Sequence, residues 1–318
     1  MREGQFIKQN IDRWKSYETP TNDPDELAKR FVYLVDDLAF AKTFYPQSNT
    51  TRYINGIAAT IYLSIYRNKK EKKNRFATFW ALELPLIMKK YQRNLMFAFL
   101  FFTLFVAIGV FSAMQDQTFV RAVLGDGYVE MTEQNIANGN PFGVYKSENE
   151  ILMFFTIALN NITVSFNAFA MGIFASVGTL YMLFKNALMV GVFEYMFFNH
   201  GLGLKSILVI FVHGTLELSA IVIAGCAGLV LGNSLLFPKT YTRMQSLSRA
   251  AKDAVKIVVG LVPVFIVAAF FESFVTRHTE MPVWLSLIIL GTSLTFILWY
   301  FVFYPIKVSK RIVNEVRP

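Results

Sequence analysis

Hydrophobic positions follow two regimes along this 318-residue chain. Up to about residue 93, apolar side chains alternate with charges at helical spacing. From Leu95 onward they merge into runs of twenty residues or more that are nearly free of charge, long enough to cross the hydrocarbon layer as α-helix. The pattern predicts an all-α chain: a polytopic transmembrane helix bundle of about six spans behind a helical cytoplasmic N-terminal region. On this reading, residues 1–94 form that region with an interfacial elbow helix at its end, 95–306 form the bundle, and 307–318 form a basic tail.

Within the first region, Asp23-Pro24-Asp25-Glu26 reads as a helix start, with Asp23 as cap, Pro24 in the first turn and Glu26 at capping-box spacing. The helix should reach about Phe44, before Pro46, and a second amphipathic stretch runs from Thr51 to Tyr66. Lys69, Lys70, Lys72, Lys73 and Arg75 then form a run solvated by water or anionic lipid. From Arg75 to Arg93, Phe76, Phe79, Trp80, Leu82 and Leu86 sit beside Lys89, Lys90 and Arg93, which suits a helix on the membrane surface, kinked at Pro85. Met1 to Tyr17 has no apolar core and is not expected to be a cleaved signal peptide.

The first span is expected at Leu95 to Met114. As one helix Ile151 to Phe198 would measure about 70 Å, so it should hold two crossings. Their break is expected near Lys185 and Asn186, with a re-entrant pair buried in protein as the alternative. A fourth span follows from about Ile207 to Phe237, a fifth from Ala254 to Val275 with a bend at Pro263, and a sixth from Val283 to Tyr304. Trp284, Trp299 and Tyr300 suit the interfacial belts. The 115–150 loop carries Asp116, Asp126, Glu130, Glu133, Glu148 and Glu150 against Arg121 and Lys146, whereas Lys and Arg dominate before the first span, near residue 245 and in the tail. The positive-inside bias therefore places both termini in the cytoplasm of a multi-pass plasma-membrane protein and implies an even number of crossings.

Composition agrees with this class: 54% hydrophobic residues and a mean hydropathy of +0.41 exceed what a soluble core needs. The net charge of +9 is accounted for by cytoplasmic flanks facing lipid, so nucleic acid is not expected as a partner. Cys226 is the only cysteine, which excludes an intramolecular disulfide and a thiolate metal cluster.

His213 and Glu217, four residues apart in the fourth span, share one helix face, where ionisable groups are costly and face a partner or cavity. Glu272, Glu194, Asn160 and Asn161 fall at similar depth, which predicts a polar pocket open to the outside, against the alternative of a buried structural pair. A zinc site using His213, Glu217 and His200 is not favoured, because HGTLE lacks the HExxH pattern. No catalytic, metal-binding or cofactor-binding residue is assigned, since no Ser-His-Asp order or phosphate-binding loop is visible. Ala220, Ala224, Gly228 and Gly232 make a small-residue stripe suited to close helix packing or to a partner, and Ala168, Gly172 and Ser176 make another.

The run from Asn160 through Gly172 to Asn186, the segment HGTLELSAIVIAGCAGLVLG from His213, and AAFFESFVT around Glu272 resemble the stage II sporulation protein M family, as does RFATFWALELPLIMKK before the first span. The resemblance extends from about Arg75 to the tail. It implies a polytopic plasma-membrane protein and, in spore formers, a scaffold in peptidoglycan-remodelling machinery beside stage II sporulation proteins D and P. The even crossing number and long N-terminal region depart from that member's five-span arrangement. The favoured expectation is a membrane scaffold without enzymatic activity, partnered by the lipid bilayer and by other membrane or envelope proteins, with a second copy of itself as a further candidate partner. A transporter or lipid-handling protein using the polar pocket is the alternative, and an intramembrane hydrolase comes third.

Overall fold

The computed structural model describes residues 2–21, 23–66, 74–146, 149–277 and 281–316. Lys69, Lys70, Lys72, Lys73 and Glu148 lie outside the described residues. The chain divides into two compact units, Met1–Arg75 and Phe76–Pro318.

The first unit holds α1 (Glu3–Tyr17), α2 (Pro24–Phe44) and α3 (Asn49–Tyr66). Leu27, Phe31, Leu34, Leu38 and Ala41 recur at three- and four-residue steps and turn one face of α2 onto Ile54, Ile57 and Ile61 of α3 and onto Phe6 and Trp14 of α1. Trp14 is fully buried, and its Nε1 donates to Asp37 Oδ2 at 2.7 Å, an oxygen that also takes Arg13 at 2.6 Å. Asp23 caps α2 by accepting from the Asp25 backbone N–H at 3.0 Å. The expected capping box does not close. Glu26 instead accepts from Arg30, one turn ahead, at 2.6 Å and from Thr21 at 2.7 Å, a charge-assisted pairing that outbids a single backbone N–H.

Among the described residues of the second unit, six helices are long and apolar enough to cross a membrane: Gln92–Gln115, Glu150–Ile173, Val177–Asn199, Gly203–Leu236, Arg243–Val275 and Val283–Asn314. No strand occurs among the described residues. The unit opens at Phe76 inside α4 (Arg75–Thr78), followed by a π-helical turn (Phe79–Glu83) and α5 (Leu84–Lys90). There follow α6 (Gln92–Gln115), α7 (Gln117–Leu124), α8 (Asp126–Ala137), α9 (Glu150–Ala170), α10 (Val177–Asn199) and α11 (Gly203–Leu236). The last are α12 (Arg243–Phe270), α13 (Val283–Leu298) and α14 (Tyr304–Val316), with π turns at Phe271–Val275 and Trp299–Phe303.

The central helix is α11, which touches α6, α9, α10, α12 and α13. Its small residues explain that position. A Cβ on Gly228 would meet the Ala168 carbonyl oxygen at 2.6 Å and Thr179 Cγ2 at 2.7 Å, and one on Gly232 would run into Ser176. Backbones approach this closely only where side chains are missing. Outer faces do the reverse: Phe97, Leu100, Phe111, Leu159 and Leu287 stay exposed, as helices bathed in lipid require.

The break between the second and third spans falls at Phe174–Ser176, not at Lys185 and Asn186 as the sequence suggests. Ala175 (φ 50°) and Ser176 (φ 69°) adopt left-handed backbone, which ends a right-handed helix. Lys185 and Asn186 sit inside α10, where Asn186 satisfies its amide on the Met182 carbonyl one turn back at 2.8 Å. Both flanking helices, Glu150–Ile173 and Val177–Asn199, are long and apolar enough to cross a membrane.

The two prolines at the π turns share a device. Pro85 supplies no N–H, and its ring repels the carbonyl four residues back. The helix widens before it, and the Trp80 and Ala81 carbonyls accept from the hydroxyls of Tyr300 (2.8 Å) and Tyr304 (3.0 Å). Pro305 follows the π turn Trp299–Phe303 in the same manner. Pro263 lies within α12, which continues through it to Phe270. The elbow is also tied to α12 by Lys90–Asp253 and Glu83–Lys256 pairs, both 2.6 Å, with Leu84, Ile87 and Met88 buried in the bundle core.

The expected acidic loop is folded. Its Val120, Val129 and Phe142 pack on Val192, Met196, Phe197 and Val209 of α10 and α11. Asp116 caps α7 through the Thr118 hydroxyl and backbone N–H, which hold its carboxyl below the usual range.

Candidate functional site

His213 and Glu217 lie one turn apart on α11, and the π turn Phe271–Val275 brings Glu272 opposite them. One donor atom from each of these three side chains lies within 4.8 Å of the other two. The wide turn matters because Glu272 and Thr276, four residues apart, both reach the imidazole of His213. Nδ1 lies 2.9 Å from Thr276 Oγ1, and Nε2 lies 4.0 Å from Glu272 Oε1. The Thr276 N–H bonds the Phe271 carbonyl at 2.8 Å, closing the five-residue turn. Such turns are rare and recur at functional sites.

Asn161 on α9 meets Glu217, and its Nδ2 is buried without a well-formed hydrogen bond. Asn160 is exposed and donates to Asn161 Oδ1 at 3.4 Å. Glu194 is placed elsewhere. Its carboxylate accepts from Ser206 Oγ at 3.1 Å, two turns before His213 on α11. His200 bonds the Met196 carbonyl of its own helix at 2.8 Å and is outside the cluster. Beside the cluster, Thr276 also lines a cavity of about 310 Å³ shared with Lys205, Met281 and Ser286. On α8, burial pushes the Tyr128 phenol up, the Thr132 hydroxyl opposes this, and Glu272 adds to the rise, so α8 lies within electrostatic reach of the cluster.

Sequence reasoning did not single out Thr276, although the motif FESFVT holds it at i+4 from Glu272. It also passed over Gly109 and Gly191. A Cβ on Gly109 would stand 3.0 Å from the Leu188 carbonyl, and one on Gly191 would strike that of Val106, so these two positions let α6 and α10 touch. They lie on different helices, so no spacing within one segment shows them.

Among the described residues, six apolar helices, one of them a small-residue central span packed by the other five, with ionisable side chains gathered on and beside that span, define a multi-pass α-helical integral membrane protein. A family model described as Stage II sporulation protein M matches residues 98–277, and the chain belongs to that family. A second model, described as Domain of unknown function (DUF8413), matches residues 4–67, the stretch that holds α1, α2 and α3. No curated protein and no solved structure matches the chain.

Proposed function

We propose that this protein is a plasma-membrane scaffold for cell-envelope remodelling, with both termini cytoplasmic, that holds a partner's transmembrane helix against its side. The observation that supports this reading is a lateral groove of about 660 Å³ between α6, α11 and α13, lined by Phe99, Phe102, Phe211, Val222, Leu294 and Phe301. Thr103 and Ser219 add small polar groups of the kind that hydrogen-bond across helices in lipid. A photocrosslinker at Phe99 or Leu294 is expected to capture an envelope protein in cells, and a crosslinker at the exposed Leu159 is not. Capture of lipid alone at the groove would sink the scaffold reading.

Orientation has its own test. With Ser48→Cys and Glu130→Cys variants, an impermeant thiol reagent added to intact cells should label position 130 and leave position 48 unlabelled. The opposite pattern would invert the topology.

The His213–Glu217–Glu272 cluster favours a second reading, transport or lipid handling. A Glu217→Gln variant that folds and still captures the partner, yet fails to complement a deletion strain, would favour it. Full complementation would leave the cluster without a part in that process.

A further inference from the structure

We propose that His213, Glu217 and Glu272 bind one divalent transition-metal ion, with Asn161 at the edge of the site. The proposal goes beyond the scaffold reading and does not depend on it.

Distance is the first argument. Nε2 and Glu272 Oε1, 4.0 Å apart, are too distant to share a proton, and the three donor atoms span no more than 4.8 Å. Donors around a tetrahedral ion with bonds of about 2.1 Å stand roughly 3.4 Å apart, so side-chain adjustments of an ångström or so complete the set. Orientation is the second. Nδ1 stands 2.9 Å from Thr276 Oγ1, which leaves Nε2 on the carboxylate side of the ring; in the tautomer that carries its proton on Nδ1, the hydroxyl accepts it and the Nε2 lone pair is offered to an ion, the arrangement that fixes metal-binding histidines.

Asn161 supplies an independent observation. It is 6% exposed, and its Nδ2 meets the Glu217 carboxylate without a well-formed hydrogen bond, so a buried polar pair at the edge of the site is under-satisfied as it stands. Ser165, one turn further along α9, and Ser273, beside Glu272, are buried with their hydroxyls likewise unpartnered. Two carboxylates inside a span are costly without a cation, and a dication offsets both. One imidazole with oxygen donors and no thiolate suits Zn²⁺ or Mn²⁺.

The test uses the full chain in lipid nanodiscs, stripped by chelation and dialysed, then titrated with ZnCl₂ or MnCl₂. We expect one equivalent of one of these ions to survive gel filtration and to raise the melting temperature by several degrees. His213→Gln and Glu272→Gln should each weaken binding by roughly tenfold or more. Thr276→Val, which removes the positioning hydroxyl and no ligand, should also weaken it and guards against misfolding of the other two. Co²⁺ should give visible ligand-field bands in the wild type that vanish in His213→Gln. Wild-type protein that retains neither ion and melts unchanged, or a folded His213→Gln that binds as the wild type does, would overturn the proposal. Groove crosslinking is read separately, so either reading can fail alone.

Discussion

Gly228→Leu is expected to leave no folded bundle. Even a methyl group there meets the Ala168 carbonyl and the Thr179 side chain, and the Thr179 hydroxyl is already committed to that carbonyl at 2.7 Å. A leucine adds four carbons to a site with no room for one. Overpacking by single methylenes costs about 1–3 kcal/mol, and here the obstacle is backbone, which cannot rotate aside. The expected loss is therefore comparable to the roughly 5–15 kcal/mol that holds a typical protein folded. Fluorescence-detected gel filtration and thermal melting in detergent would check it. Gly291→Leu, where nothing lies within 4 Å, is the matched control and should melt as the wild type does. If Gly228→Leu also melted normally, α11 would not pack as described.

Trp14→Ala should unravel the first unit. The side chain is fully buried among Phe6, Tyr53 and the α2 face, and removing a buried tryptophan costs about 3–5 kcal/mol. It also takes away the indole N–H that shares Asp37 Oδ2 with Arg13. Hydrogen exchange on the intact protein should show protection across residues 4–66 reduced by a hundredfold or more, with the spans unaffected. Trp14→Phe, which keeps a ring and loses one hydrogen bond, should lie between. Unchanged protection in Trp14→Ala would place the core elsewhere.

Most of the fold was legible because the bilayer leaves few choices: twenty apolar residues with no outlet for backbone hydrogen bonds must be helix. Hence the first, fourth and sixth spans start within about four residues of expectation, while the fifth starts eleven residues earlier, because Thr242 and Gln245 form a capping box ahead of the apolar run. The break at Phe174–Ser176 was not legible. A lysine and an asparagine are stronger polar punctuation than Phe-Ala-Ser, yet a helix can satisfy an asparagine internally, and the turn is set by the close approach of Gly172 to Gly228, far away in sequence. In the site, the i, i+4 pair His213 and Glu217 needed only helical geometry. Depth in the bilayer already joined Glu272 to them, but the close approach of its carboxylate depends on the register of a second helix, altered by a π turn that no residue pattern announces. Glu194, expected at similar depth on the third helix, accepts from Ser206 on α11 and is not among the three side chains whose donor atoms come together.

The tyrosine caps on the elbow impose an order in time. Trp80 and Ala81 leave the ribosome 220 and 223 residues ahead of Tyr300 and Tyr304, which at about 5–20 residues per second is a wait of roughly 10 to 45 seconds. During that interval the two carbonyls must be solvated by water or lipid headgroups, and Glu83 and Lys90 must wait nearly as long for Lys256 and Asp253. Early spans can insert and pair, but the elbow locks only after the final helix arrives. A ribosome-stalled chain halted before residue 300 should therefore expose the elbow to protease, with the completed chain protected there.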